Sequence, residues 1–132
     1  MKMLSTVAAS LFLLLGGAAA AVVAGEVFPA KGNEVVIYTH HFKPESFAAG
    51  LKLVEEGFTD AQTKMGQTRH NYFLVNSAAN DVVVVSFFGK DESVEDWHKF
   101  IGRLDVLKQL EPMRREPLEL ERYKVDAITS TP

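Results

Sequence analysis

The sequence predicts a small α+β fold over residues 34–126, in the order strand, helix, strand, strand, helix, strand, built on one antiparallel sheet. Three observations predict it. Four segments are β-branched and aromatic, two carry apolar residues at helical spacing, and they alternate as two βαβ-like halves. The strands are also apolar on both faces, whereas two helices cover only one face of a four-stranded sheet. The second face therefore calls for a partner, and the expectation is two copies packed face to face.

The first strand is read at residues 34–42, EVVIYTHHF, a run suited to burial on both sides. Pro44 then marks a first helical turn, with Glu45 near the positive end of the helix dipole. In the helix that follows, Phe47, Leu51, Val54, Phe58, Ala61 and Met65 recur at steps of four and three, one amphipathic stripe. Gly50 and Gly57 each weaken it by up to ~1 kcal/mol relative to Ala. They lie on one side, where another backbone could approach, and Gly66 is the C-cap.

Residues 69–75 form the second strand, 76–81 a turn, and 82–88, VVVVSFF, the third strand and the most buried one. Residues 89–92 are a loop. Ser93 is an N-cap with Asp96 three residues on. The second helix presents Val94, Trp97, Ile101, Leu104 and Leu107 or Lys108, and is expected to run to about Leu110, before Pro112. A half-exposed final strand covers 118–125. Two βαβ halves across one sheet make a ferredoxin-like fold.

Residues 1–24 stand outside this domain. Lys2 precedes an apolar stretch from Leu4 to Leu15 and a small-residue run from Gly16 to Ala24, the pattern of an export signal. Cleavage is expected after Ala24, with Ala21 the next candidate. An uncleaved anchor is the alternative, since about 20 apolar residues can span a bilayer, but the small-residue run suits cleavage better. The resulting division is 1–24 signal peptide, 25–33 leader, 34–126 folded domain and 127–132 polar tail, in a periplasmic or secreted protein.

The chain has 17 Asp+Glu against 14 Lys+Arg, a net charge of −3, and only Lys2 of these lies in the signal. A mildly acidic domain without a basic cluster argues against nucleic acid. No polybasic or amphipathic segment points to a membrane surface after signal cleavage. The absence of cysteine rules out disulfides, thiol catalysis and a lipid-modified Cys.

The order of elements, with FKPE at 42–45 leading into the helix at Phe47, NDVVVVSFF at 80–88, ESVEDW at 92–97 and EPLELERYKV at 116–125, resembles the antibiotic biosynthesis monooxygenase family of the dimeric α/β-barrel superfamily. The resemblance spans nearly the whole domain. It implies a homodimer whose two sheets pack into a barrel, and oxidation of a quinol or other aromatic phenol by O₂ with no cofactor. Other members of the superfamily degrade haem, using an Asn on the first strand, a Trp on the second helix and a His ten residues later. Trp97 matches that Trp, but Leu107 stands at the His position and residues 34–42 hold no Asn. Haem degradation by that route is therefore not expected.

Cofactor-free oxygenation needs a base or hydrogen-bond partner for a phenol, and a dry aromatic pocket. His40 and His41 are the candidate bases. Neighbours on a strand face opposite ways, so one points to the helix side and the other to the sheet-packing side. The bland reading is a neutral histidine bonded in the core or at the dimer seam. Trp97, Phe47 and Phe87 are candidate pocket walls, and Tyr38, His70 and Tyr72 candidate lining residues, all of which could equally be packing residues. His98 is read as solvated, and Arg69 and Arg122 as surface charges or anion clamps. No HxH, HxxxH or nearby carboxylate set supplies three ligands, so no metal site is assigned. The rival to an enzyme is a non-catalytic dimer that holds a hydrophobic molecule, with haem one candidate, or a domain that only mediates assembly.

Overall fold

The computed structural model describes residues 29–67 and 69–130. The signal peptide, its cleavage positions and residues 25–28 of the leader lie outside the described residues. Among the described residues, no helix is long and apolar enough to cross a membrane.

The chain runs β1 (Glu34–His41), α1 (Phe47–Met65), β2 (His70–Asn76), β3 (Asp81–Phe88), α2 (Val94–Gly102), α3 (Val106–Leu110) and β4 (Glu119–Lys124), with single 3₁₀ turns at Pro44–Ser46 and Glu111–Met113. The four strands form one antiparallel sheet in the order β2-β3-β1-β4. Long, β-branched β1 and β3 take the two central places, and the short, charged β4 takes an edge, as an exposed edge demands. This is the ferredoxin-like arrangement of two split βαβ halves.

Register follows from the hairpin. The turn between β2 and β3 closes on the pair Asn76↔Asp81, with Asn80 at φ 58°, a left-handed conformation that asparagine tolerates. From there Asn71 faces Ser86 and Phe73 faces Val84, while Tyr38 on β1 pairs with Val84 on its other side. Strict alternation then sends Val36, Tyr38, His40, Val82, Val84, Ser86 and Phe88 toward the helices, where all seven are buried. The opposite face carries Ile37, Val83, Val85 and Phe87, with Tyr72, Leu74 and Tyr123 53%, 51% and 51% exposed.

The helices differ from expectation in two respects. First, the second helix does not run unbroken to Leu110. It stops at Gly102, turns through Arg103–Asp105 and restarts as α3. Gly102 is a poor helix former, and the break re-aims Val106 and Leu110 so that both are buried. Second, the two glycines of α1 admit side chains rather than a backbone. A Cβ on Gly50 would lie 2.6 Å from the Phe42 ring, and one on Gly57 would lie 2.6 Å from Val106 Cγ2. α1 ends where Gly66 takes φ 77° and returns its N–H to the last turn. Ser93 caps α2 by accepting from the Asp96 N–H at 3.1 Å.

Candidate functional site

Between the sheet and the helices lies a cavity of about 180 Å³. Its walls are apolar: Val84 from the sheet, Phe58 from α1, Trp97 and Ile101 from α2, Leu107 from α3 and Leu120 from β4. The Phe58 and Trp97 rings meet edge to face at 6.5 Å. The break after Gly102 matters here, because it swings α3 round so that Leu107 closes one side.

Two polar groups interrupt the apolar lining. At one, the Tyr38 hydroxyl lies 2.9 Å from His98 Nε2. Burial pushes the Tyr38 phenol up to about 12, against the opposing pull of Arg69, a hydrogen bond from the Trp97 indole and Arg122. Burial also lowers the His98 imidazole below its ordinary value, helped by the Arg122 charge. Both groups are therefore neutral at pH 7. The phenol is the better acid and the imidazole nitrogen the better base, so the Tyr38 O–H donates to Nε2 and His98 carries its own proton on Nδ1.

At the other group, three side chains lining the cavity are joined in series. Ser86 Oγ donates to Asn71 Oδ1 at 2.7 Å, Asn71 Nδ2 donates to Gln62 Oε1 at 2.7 Å, and Gln62 Nε2 donates to the Arg69 carbonyl at 2.8 Å. Asn71 and Ser86 are direct cross-strand partners, so sheet register alone places them together.

The expected site residues divide by sheet face. Tyr38 and Trp97 line the cavity. Phe47 is partly buried against the core without lining it. His70, Tyr72 and Phe87 lie on the open face, where the Tyr72 and Phe87 rings meet edge to face at 5.8 Å.

His40 and His41 do diverge, and neither lines the cavity. His40 is fully buried on the helix side, stacked 5.6 Å from Phe42, with neither ring nitrogen hydrogen-bonded among the described residues. Burial, with the nearby Arg114 and His41, lowers its pKa to about 3. His41 turns the other way, its Nδ1 2.8 Å from Asp81 and its Nε2 3.0 Å from Glu119, and these hydrogen bonds raise its pKa.

Arg69 is neither a surface charge nor free to clamp an anion. It is buried with its guanidinium 4.0 Å from the Phe88 ring centre and 4.4 Å from that of Trp97, and it pairs with Glu92 at 3.5 Å. It thereby fixes the outer side of the Trp97 indole. Arg122 is paired with Glu34 and Glu95.

Sequence spacing shows no three-ligand set, yet the fold brings ligand atoms of His41, Glu116 and Glu119 within 4.8 Å of one another. Both nitrogens of His41 are taken by carboxylates there, and Arg115 binds Asp81 at 2.9 Å and Glu116 at 3.6 Å, so the group closes as a charge network.

His98, Ser86, Asn71 and Gln62 are the cavity residues that sequence reasoning missed. The available signal was register: once Asn76 pairs with Asp81, the polar residues Asn71 and Ser86 on the helix-facing side of the hairpin must meet.

No protein-family model and no curated protein matches the chain. Solved structures do. A conserved protein from Methanosarcina mazei Go1 aligns over 73% of this chain and 95% of its own, with a TM-score of 0.57 and 12% identity. A dimeric ferredoxin-like protein from an uncultured marine organism aligns over 77% of this chain and 95% of its own, with a TM-score of 0.57 and 11% identity. At such identities the likeness is one of fold.

Proposed function

We propose that the protein binds a small hydroxylated aromatic in the helix-side cavity and oxidises it with O₂, as a cofactor-independent monooxygenase acting on a quinol. The observation that carries this reading is the cavity itself: aromatic and aliphatic walls, with a hydrogen-bonded Tyr38–His98 pair set into them. An empty site of ~150 Å³ is known to hold one benzene ring, so about 180 Å³ suits a single substituted ring. It falls below the ~300 Å³ at which drug-sized ligands begin to fit, which disfavours haem.

In the proposed reaction the substrate hydroxyl donates to the Tyr38 oxygen, the Tyr38 proton passes to His98 Nε2, and the half-buried imidazole hands a proton to water. The electron-rich ring then reacts with O₂. For 1,4-hydroquinone, one ring C–H becomes C–OH and the two hydroxyls become carbonyls. One oxygen atom enters the ring, and the other leaves as water with the two hydroxyl protons.

An oxygen electrode tests this: uptake above autoxidation is expected with the native protein. Loss of about 10²-fold or more is expected in Tyr38→Phe and His98→Gln, the size of a general-base contribution. Binding without uptake would favour a second reading, a non-catalytic carrier, for which the burial that keeps the hydrogen-bonded Tyr38 and His98 neutral is the supporting observation.

We further propose that the protein is exported through residues 1–24 and works as a homodimer through the open sheet face. Exposed Tyr72, Leu74 and Tyr123 around half-buried Val83, Val85 and Phe87 supply the apolar surface, and a structure of the same fold is described as dimeric.

A further inference from the structure

Resting on the proposal that the cavity binds a hydroxyaromatic, we infer that it presents hydrogen-bond acceptors, through Ser86 and Tyr38, and so selects a dihydroxybenzene over the matching quinone. The argument starts from one fixed group. A backbone carbonyl can only accept, so the atom of Gln62 that lies 2.8 Å from the Arg69 oxygen must be its NH₂. Its carbonyl oxygen then faces Asn71, which must answer with NH₂. The Asn71 carbonyl faces Ser86, whose only proton is thereby committed to it. Every direction in the series follows from its anchored end.

What Ser86 has left is lone pairs, on a side chain that is buried and lines the cavity. The Tyr38 oxygen, its proton directed to His98, keeps one lone pair beyond the one that the Trp97 indole N–H takes. A buried acceptor facing another acceptor forfeits its hydrogen bond and keeps the cost of its desolvation. A ligand O–H satisfies such a group, and a quinone carbonyl repels it. Oxidation would turn the substrate's two hydroxyl donors into acceptors, so the polarity that selects the reduced ring loosens the hold on the oxidised one, which keeps only its newly formed hydroxyl as a donor. Gln62, Asn71 and Ser86 are in this account specificity residues, with Gln62 and Asn71 acting through Ser86.

Anaerobic calorimetry with 1,4-hydroquinone and 1,4-benzoquinone tests the inference, and the absence of cysteine removes the thiol that would trap the quinone. The native protein is expected to prefer hydroquinone by about tenfold, the worth of one good buried hydrogen bond. Ser86→Ala should cut that preference to about threefold or less. Asn71→Leu should do the same by a different route, since it frees the Ser86 proton to meet a carbonyl. Agreement between the two variants guards against one of them folding poorly. Equal native affinity for the two probes, or a preference unchanged in both variants, would overturn the inference while leaving the cavity as a binding site. Failure of both probes to bind would instead remove the reading on which it rests.

Discussion

His40 and His41 are chemically identical neighbours that the strand sends into opposite environments, with opposite consequences for stability. His40 has its folded pKa near 3, below the ordinary 6.5. Above pH 6.5 it is neutral both folded and unfolded and carries no protonation penalty, but as pH falls toward 3 stability is lost at about 1.4 kcal/mol per pH unit. His41 is raised, so its contribution is complete below pH 6.5 and fades as pH climbs through its folded value. Urea denaturation between pH 4 and 8 is expected to show a steep acid limb that His40→Leu flattens. That variant should also gain about 1–3 kcal/mol at neutral pH, because it removes a buried polar ring whose nitrogens have no hydrogen-bond partner among the described residues. An unchanged acid limb would mean that His40 is not the titrating group. The sequence could say that the two histidines diverge, since alternation on a strand is local. It could not say that His98, one step round a helix from Trp97, would reach Tyr38, because that meeting depends on how α2 lies across β1.

At the scale of elements, the glycines separate packing from propensity. Gly50 and Gly57 sit in α1 where Ala would favour the helix by ~1 kcal/mol, yet a Cβ added at either would lie 2.6 Å from a side chain of another part of the chain. Overpacking of that kind costs roughly 1–3 kcal/mol, so Gly50→Ala is expected to lower the melting temperature. Gly102 has nothing within 4 Å of a added Cβ, so Gly102→Ala should leave stability unchanged or raise it by up to ~1 kcal/mol. Thermal melts of the two variants check the pair, and a destabilised Gly102→Ala would indicate that the α2–α3 break itself is needed. The strands, α1 and the Ser93 cap were legible from periodicity and capping residues. The break was less so: apolar spacing continues through Leu104 and Leu107, and only tertiary demand, the burial of Val106 against Gly57 and of Leu110 in the core, decides that the helix must turn.

At the scale of the molecule, the helices and the cavity occupy one face of the sheet and leave the other to tyrosine, leucine and valine. Such a face is expected to pair with a second copy at the ~10 Å spacing of stacked sheets. Light scattering should report a dimer for the native chain and a monomer for the Tyr72→Arg, Leu74→Glu double variant. A native monomer would contradict the assembly without touching the cavity. The two-sided apolar strands make this face visible in the sequence. The cavity is not visible there, because its lining is gathered from β1, β2, β3, β4 and all three helices, and only register and helix placement bring those residues together.

That the helix-side cavity, rather than the open sheet face, is the binding site is tested most directly by an anaerobic titration of ¹⁵N-labelled protein with 1,4-hydroquinone, followed by NMR. The account predicts saturable shifts of the single Trp indole N–H, the Asn71 and Gln62 side-chain amides and the Ser86 backbone amide, with Tyr72, Leu74 and Phe87 stationary. Shifts confined to the open-face residues, or none at any concentration, would contradict it.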